Sequence, residues 1–532
     1  MIHHLSHLRM HPCLEIYEII ELIFEYVLHS PSTRSRTSRL DRGSLVALLK
    51  TCRSFSVSSS KLLWQNLESL GPLIATMPED LVEVAKTYDS LRGRESYELS
   101  FRREVIPEDW ERFDLYAPLV KAIGLVTAHT WTTPKFTLSK GIELVLHERR
   151  KILLPNLTML AELSGDPSAT LLLLTPYIQV LKFRVDFSWG TSFISRFISD
   201  ITFYLHSLTS LHISVYSGFN LDHQKVETFA SDVARLLGLL NLEEFVCNWL
   251  ELSGPMVETL VQMPRLRKID ILVSPPALEL LHFVEPQLKG IRICISTFPG
   301  ADAEVDMVPH LSRILIALQP TLLDSFYFRK KKSATHMTQQ DLTSLTSAIE
   351  RHCSPKFLRY FSIIYQRVMN DLPAIANIQL FRPLLAFSQL RKLCLEVHAD
   401  FTDAEAQQLA ISWPHMEELD IVPFISVPPS LPIRTTLKCL LWFATYCRNL
   451  KQLSFCFKGM DTFTECELAE ASDNPLCCLE VGYSTEVDPE RFLDFVKVVF
   501  PNLSALMWNE LAMDDGNNEK WEAVNTSLQE LA

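Results

Sequence analysis

The sequence contains few glycines and no long hydrophobic segment. Only 15 of its 532 residues are glycine, whereas 47% are hydrophobic, a composition that excludes a largely disordered chain. No apolar run reaches the roughly 20 residues that a membrane-spanning helix needs. Glu15, Glu18 and Glu21 interrupt the first hydrophobic segment, which argues against a secretory signal peptide. We therefore expect no membrane partner.

The chain also lacks an excess of positive charge and any CxxC pair of cysteines. Its formal net charge of -13 leaves no broad cationic surface for a phosphate backbone, so we expect no nucleic-acid partner. The 12 cysteines form no CxxC pair, which favours buried, reduced thiols over a disulfide framework or a zinc site. This cysteine usage predicts a cytoplasmic or nuclear protein.

Sequence motifs of catalysis are absent as well. The chain has no GxxxxGK[ST] or GxGxxG loop, no HExxH and no GxSxG. His3, His7 and His11 have the i, i+4 spacing of metal ligands, but a frayed, solvated chain end is the favoured explanation. We expect a protein that is not an enzyme and that uses no cofactor and no metal. The alternative is an enzyme with an unfamiliar active site, although no cluster of titratable residues indicates one.

An amphipathic helix is predicted near the amino terminus, in the segment CLEIYEIIELIFEYVL, residues 13–28. With about 100° of rotation per residue, its apolar residues fall on one side and its glutamates on the other. So broad an apolar stripe predicts a helix that packs against other elements. The apolar residues are Ile16, Ile19, Ile20, Ile23, Phe24 and Val27, and the opposing glutamates are Glu18, Glu21 and Glu25.

Two further helices are predicted after a Ser/Arg-rich stretch, residues 29–44, which is expected to form a flexible loop. The segment SLVALLKTCRSFSVSSSKLLWQNL, residues 44–67, repeats the helical spacing, and Ser44 is the predicted N-cap. A three-helix unit of about 50 residues buries little of its own surface, so its spare apolar surface needs another protein. The second helix carries Leu45, Leu48, Leu49, Cys52 and Phe55, and the third carries Leu62, Leu63, Trp64 and Leu67.

The succession of helix, loop, LLKTCRSF and LLWQNL resembles an F-box, in the form found in the F-box proteins abundant in mushroom-forming fungi. The segment IPEDWERFDLYAPLVKAI, residues 106–123, also resembles a segment that follows the F-box in those proteins. That family usually starts the first helix with a proline–glutamate pair, whereas this chain has Tyr17 before Glu18 and places Pro12 upstream. Because proline at the first turn fixes φ, its absence weakens the helix start.

The resemblance implies that the first three helices bind a Skp-type adaptor, the subunit that joins an F-box protein to a cullin scaffold in an SCF ubiquitin ligase. A helical unit of this kind can supply the apolar core of an interface of about 800 Å² per partner. The alternative is that its apolar residues pack only against each other and the following domain. The residues expected at the adaptor interface are Ile16, Tyr17, Ile20, Ile23, Leu45, Leu48, Cys52 and Trp64.

The last three-quarters of the chain repeat a unit of the form L-x-x-L-x-I. About thirteen copies occur, among them PNLTML, PRLRKIDIL and PHMEELDIV, with early copies 21 to 34 residues apart. Each copy predicts a short strand, and helical patterns lie between copies, as in residues 231–240 and 340–350. Stacked units bury their apolar faces together, which predicts a curved parallel sheet with helices on its outer side, similar to leucine-rich repeats. A coincidental scatter of leucines in another α/β fold is the alternative.

The predicted organisation is therefore α/β, with an F-box-like domain (12–82), a connecting or capping segment (83–150) and a leucine-rich-repeat-like solenoid (151–532). The expected function is that of a substrate-recruiting adaptor subunit of an SCF-type ubiquitin ligase that binds an unknown protein target. The alternative is a non-ubiquitin interaction scaffold whose first helices cap the solenoid. Outward strand residues expected to line the target surface include Arg267, Lys268, Asp270, Glu417, Glu418 and Asp420.

Two short basic runs fall outside these patterns. RSRTSR, residues 34–39, lies in the predicted loop after the first helix, and RKKK, residues 329–332, is predicted to lie between two repeat units. Either run could bind an acidic partner, and a solvated loop explains both without one.

Overall fold

The chain divides into two compact units, Met1–Leu240 and Asn241–Ala532, each taken by itself below. We use a computed structural model. It describes residues 16–28, 42–89, 94–124, 135–149, 152–161, 167–187, 190–215, 223–273, 290–295, 323–333, 339–367, 375–395, 397–421, 433–459, 462–509 and 515–531.

The first unit opens with helices and continues with strands and helices in alternation. Three helices precede the first strand, as the apolar periodicity predicted. Its described α-helices are α1 (Tyr17–Leu28), α2 (Arg42–Leu49), α3 (Arg53–Gln65), α4 (Gly71–Ile74), α5 (Glu111–Tyr116), α6 (Lys140–Glu148), α7 (Pro167–Leu172), α8 (Thr191–Tyr204) and α9 (His223–Leu237), with 3-10 turns at Pro107–Trp110 and Ala117–Leu119.

A parallel sheet of order β1-β4-β6-β7-β8 forms the centre of the first unit. A smaller sheet of order β2-β3-β5 contains an antiparallel hairpin, β2–β3, and a parallel pair, β3–β5. The strands are β1 (Asn66–Leu67), β2 (Val82–Asp89), β3 (Arg94–Phe101), β4 (Ala122–Ile123), β5 (Lys135–Leu138), β6 (Met159–Leu160), β7 (Val180–Val185) and β8 (Ser210–Val215).

The second unit contains a longer parallel sheet, of order β9-β10-β11-β12-β13-β15-β17-β18-β19-β20, and a separate parallel pair, β14–β16. Its strands are β9 (Glu244–Leu252), β10 (Lys268–Val273), β11 (Gly290–Ile295), β12 (Ser325–Ser333), β13 (Tyr360–Arg367), β14 (Ile375–Ala376), β15 (Lys392–Leu395), β16 (His398–Ala399), β17 (Glu418–Asp420), β18 (Gln452–Ser454), β19 (Cys478–Glu480) and β20 (Ala505–Met507).

Helices alternate with these strands along the chain, and several begin with a side-chain cap. Thr402 and Glu405 form a capping box, Thr464 and Glu467 form another, and the Asp488 carboxylate accepts from the backbone of the helix that follows it. The described α-helices of the second unit are α10 (Gly254–Val261), α11 (Gln339–His352), α12 (Ile378–Phe381), α13 (Asp403–Ser412), α14 (Lys438–Tyr446), α15 (Glu465–Ala471), α16 (Pro489–Val499) and α17 (Asp515–Leu531), with a 3-10 turn at Arg382–Ala386.

Each predicted repeat copy leads into a strand, which confirms the predicted α/β class with a large parallel sheet and helices. The second apolar position of each copy lies in its strand and is buried, because alternate residues of a strand face one side of the sheet. Strand β7 illustrates this alternation, since Leu181, Phe183 and Val185 are buried while the intervening positions are partly exposed. The buried second positions include Leu160, Leu181, Leu211, Phe245, Ile269, Ile291, Phe326, Phe361, Leu393, Leu419, Leu453, Leu479 and Leu506.

Several local predictions need correction. Ser44 lies inside α2, which begins at Arg42, so it is not the N-cap. Leu67 belongs to β1 and not to the third helix, because α3 ends at Gln65. The basic run at 329–332 lies within β12 and is not a loop between repeat units. Within the ranges given above, no helix combines the length and the hydrophobicity that a bilayer crossing requires.

Candidate docking surface

The three amino-terminal helices share a small hydrophobic core. Ile20 and Phe24 of α1 pack with Leu45 of α2 and Leu62 of α3, and all four side chains are buried. The rings of Phe24 and Phe55 meet edge to face, with centroids 5.2 Å apart and planes at 86°. This core uses only the inner part of the broad apolar stripe of α1, since a helix touches its neighbours along one side.

The remaining apolar residues of α1 form a surface that we call the outer strip: Leu22, Ile23 and Tyr26. They are exposed by 66%, 41% and 73%. Leu22 and Tyr26 are four residues apart and therefore lie next to each other on the helix surface. Ile16 and Tyr17, at the helix start, are also exposed. Apolar residues exposed side by side on one helix are typical of an interaction surface.

The sequence-predicted interface residues separate into three groups. Ile20 and Leu45 are buried inside the three-helix core, whereas Ile16, Tyr17 and Ile23 are exposed. Leu48 is partly buried against the core, and Cys52 and Trp64 are partly exposed. Leu22 and Tyr26 were not selected from the sequence because the helix was divided into one apolar and one acidic side. Their i, i+4 spacing beside Ile23 is the signal that could have identified them.

Lys61 of α3 contacts two side chains in the first half of α1. The Lys61 ammonium lies 2.5 Å from a carboxylate oxygen of Glu21 and 5.3 Å from the centre of the Tyr17 ring. The hydrogen bond from Lys61 lowers the pKa of Glu21, and burial opposes that shift. Because both side chains are partly exposed, this ion pair contributes at most about 1 kcal/mol. Its main effect is to hold α1 and α3 in one orientation.

Helix α3 continues into the parallel sheet without a linker. It ends at Gln65, and β1 starts at the next residue and pairs with β4. The Lys121 amide donates to the Gln65 carbonyl at 2.9 Å, next to the first pair of strand residues. The indole of Trp64 also stacks on the ring of Tyr116, with centroids 4.5 Å apart. The three helices are therefore attached directly to the repeat-like part of the first unit.

The segment at 106–123 that resembles part of the fungal F-box proteins is held by two arginines. The Arg149 guanidinium lies 3.9 Å from the centre of the Trp110 ring and donates to both carboxylate oxygens of Asp114 at 2.6 Å. Arg103 binds the buried carboxylate of Asp109, and its hydrogen bonds lower the pKa of that carboxyl. These bidentate and stacking contacts indicate that Asp109, Trp110 and Asp114 stabilise the fold of this segment.

Of the residues predicted to line a target surface, Lys268, Asp270, Glu418 and Asp420 lie in strands β10 and β17, whereas Arg267 and Glu417 directly precede those strands. Glu417 accepts from Arg391 at 3.1 Å and from Lys451 at 2.8 Å, so three successive repeats form one ion-pair ladder. Glu418 accepts from Lys392 in the neighbouring row. This surface is charged, but most of the charged side chains described here form ion pairs with one another. Arg267 and Lys268 are exposed as predicted, whereas Asp270 is buried.

A second row of outward positions is less exposed. The Cys394 thiol donates to Asp420 at 3.4 Å, and the Ser454 hydroxyl donates to Glu480 at 3.0 Å. Burial raises the pKa of the Glu480 carboxyl, and the charge of Asp420 raises it further. The sheet register places Ser454 between Asp420 and Glu480. A negative charge nearby disfavours the ionised form of a partly buried carboxyl group.

A buried histidine and tyrosine lie farther along the same unit. The Tyr483 hydroxyl is hydrogen-bonded to Nδ1 of His398, and the two rings stack with centroids 5.6 Å apart. Burial lowers the pKa of His398 and raises the pKa of the Cys456 thiol to about 12. A thiol with so high a pKa is a poor nucleophile at neutral pH. This cluster therefore has the properties of packed core.

Among the residues that have a described placement, no group of three or more His, Cys, Asp or Glu side chains could hold a metal ion. His3, His7 and His11, and the basic run at 34–39, lie outside the described residues.

No family model matches the chain, and no curated protein matches it. Among solved structures it is similar to one described as "Crystal structure of Rad7 and Elc1 complex in yeast". The TM-score is 0.32 and the sequence identity 15%, over 65% of this chain and 80% of that chain. A likeness at this TM-score establishes neither a shared fold nor a shared function.

Proposed function

We propose that this chain is a substrate-recruiting adaptor subunit of an SCF-type ubiquitin ligase. Its first three helices are an F-box that binds a Skp-type adaptor, which connects it to a cullin scaffold. The strand faces of the repeats bind a protein target whose identity is not specified by the fold. The chain itself carries no catalysis, because ubiquitin transfer is performed by the partner subunits, and its role is to raise the effective concentration of the target beside them.

The observation that supports this proposal is the exposed outer strip of α1. The inner residues of α1 already complete the core with α2 and α3, so Leu22, Ile23 and Tyr26 are not needed for packing. Exposing large apolar side chains side by side has a cost that an apolar partner surface removes. The direct passage of α3 into β1 supports the same function, since a docking unit without a linker holds the repeats in a defined place.

A scaffold outside the ubiquitin system is the second candidate, in which the three helices only cap the repeats. The stacking of Trp64 on Tyr116 favours it, because that contact is what a capping helix needs. This candidate leaves the outer strip without a role. The two candidates therefore differ in whether a second protein covers Leu22 and Tyr26.

The test is binding of purified Skp-type adaptor to the full-length chain, measured by isothermal titration calorimetry. We expect Leu22→Asp to weaken binding by at least about 30-fold, because an unpaired carboxylate would be buried at the centre of an apolar contact. Leu144→Asp is the matched control, since Leu144 of α6 is 62% exposed, close to the 66% of Leu22. Thermal unfolding of both variants should match the wild type.

Leu48→Asp would be a less specific variant, because Leu48 packs against the three-helix core and its loss would unfold the helices. Absence of a complex with the wild type would support the capping scaffold. If Leu22→Asp leaves the complex intact, the adaptor binds at a surface other than the outer strip.

A further inference from the structure

Two glutamates, Glu18 and Glu25, border the outer strip of α1. Both are exposed, whereas Glu21 is paired with Lys61. Among the residues with a described placement, no cation lies within salt-bridge distance of Glu18 or Glu25. Within the described part of the chain, one acidic residue of α1 is therefore used in the fold and the other two face solvent.

The helix places both exposed carboxylates beside the same apolar residue. Glu18 is four residues before Leu22, and Glu25 is three residues after it, so each is a neighbour of Leu22 on the helix surface. A protein that covers Leu22 and Tyr26 therefore brings its own edge close to both carboxylates. Carboxylates at the edge of an interface lose part of their hydration, and a cation on the partner offsets that loss.

We propose that the surface of the Skp-type adaptor that covers the outer strip carries a basic border opposite Glu18 and Glu25. This inference rests on the proposed function and adds the chemistry of the partner to it. The apolar contact with Leu22, Ile23 and Tyr26 supplies affinity, and the acidic border orients α1 during encounter. A partner with an acidic border would be repelled by the same two carboxylates.

The experiment compares the full-length wild type with the double variants Glu18→Lys/Glu25→Lys and Glu18→Gln/Glu25→Gln. Association with purified Skp-type adaptor is measured by stopped flow at low and high salt. At about 50 mM salt we expect the lysine variant to associate at least about tenfold more slowly, with the glutamine variant between it and the wild type. At about 500 mM salt the difference should largely disappear, because the Debye length falls to a few ångströms.

The matched control is Glu258→Lys/Glu350→Lys, which changes the net charge by the same amount on exposed glutamates of α10 and α11. It should associate like the wild type. Circular dichroism and thermal unfolding of each variant show whether α1 is still folded.

The outcomes separate this inference from the function on which it rests. Wild-type binding with no effect of the lysine variant at low salt overturns the basic border and leaves the adaptor function standing. Faster association of that variant, or equal slowing in the control, overturns it too. If the wild type does not bind the adaptor at any salt concentration, the proposed function fails and the inference fails with it.

Discussion

The indole of Trp64 lies nearly parallel to the ring of Tyr116, with centroids 4.5 Å apart and planes at 18°. Trp64 is the penultimate residue of α3, and Tyr116 is the last residue of α5. This stack connects the proposed docking helices to the segment that resembles the region following an F-box. Offset stacking of two aromatic rings adds about 0.5–1.5 kcal/mol to the contribution of the buried area.

Trp64→Ala is expected to lower the free energy of unfolding of this region by about 2–3 kcal/mol, less than for a fully buried tryptophan. Trp64→Phe should retain most of that stability. Hydrogen exchange of the α3 amides, followed by mass spectrometry, is the appropriate measurement because the chain has two units and need not unfold in one step. Unchanged exchange in Trp64→Ala would mean that the stack does not hold α3.

The core and the outer strip of the first helices should respond differently to truncation. Leu45 is fully buried, so Leu45→Ala should cost about 2–5 kcal/mol of stability. Leu22→Ala should change stability by no more than about 0.5 kcal/mol, because Leu22 is exposed. Hydrogen exchange of the amides of α1, α2 and α3, followed by mass spectrometry, measures both. A large loss of stability in Leu22→Ala would contradict the assignment of the outer strip as free surface.

The Asn474 side chain makes two hydrogen bonds to the preceding repeat and one within its own loop, and its removal should be costly. Its amide nitrogen donates to the carbonyls of Ala444 and Cys447 at 3.0 and 3.1 Å, and its oxygen accepts from the Leu476 amide at 3.2 Å. Asn474→Ala leaves these buried groups unsatisfied, which should lower stability by about 2–4 kcal/mol in urea denaturation. Asn502→Ala, at an exposed turn, is the control and should have little effect.

The partly buried Glu480 carboxyl should make the stability of the second unit depend on pH. Because its pKa is raised in the folded state, the folded chain holds this proton more tightly than the unfolded chain. Ionisation of Glu480 therefore lowers stability as the pH rises from its unfolded pKa through its folded pKa. Glu480→Gln keeps an acceptor for Ser454 and should be more stable than the wild type at pH 7.5.

That advantage should shrink as the pH falls towards 4.5, the ordinary pKa of the group, because the wild-type carboxyl is then protonated when folded. Thermal unfolding across this pH range measures it. Glu490→Gln, at an exposed position, should follow the wild type. Equal unfolding temperatures of Glu480→Gln and the wild type at pH 7.5 would contradict the buried-charge interpretation.

The strands were predicted well where a copy of the repeat has several apolar positions. Strands β1 and β4, of two residues each, were missed because neither follows a copy of the repeat and a strand of two residues shows no alternation of its own. The basic run at 329–332 was misassigned for a related reason. Charged residues suggest a loop, but this segment forms strand β12 because Phe326 and Phe328, earlier in the same strand, are buried.

The amino-acid sequence by itself determined the α/β class, the parallel sheet and the three amino-terminal helices, because apolar periodicity is a local property that each segment carries alone. Only the tertiary structure decided which part of the apolar stripe of α1 is used. Ile20 and Phe24 meet the other helices, whereas Leu22 and Tyr26 do not. A helix with apolar residues around more than half of its circumference does not specify which part will be covered. That choice depends on the angle at which α2 and α3 pack, which is a property of all three helices together.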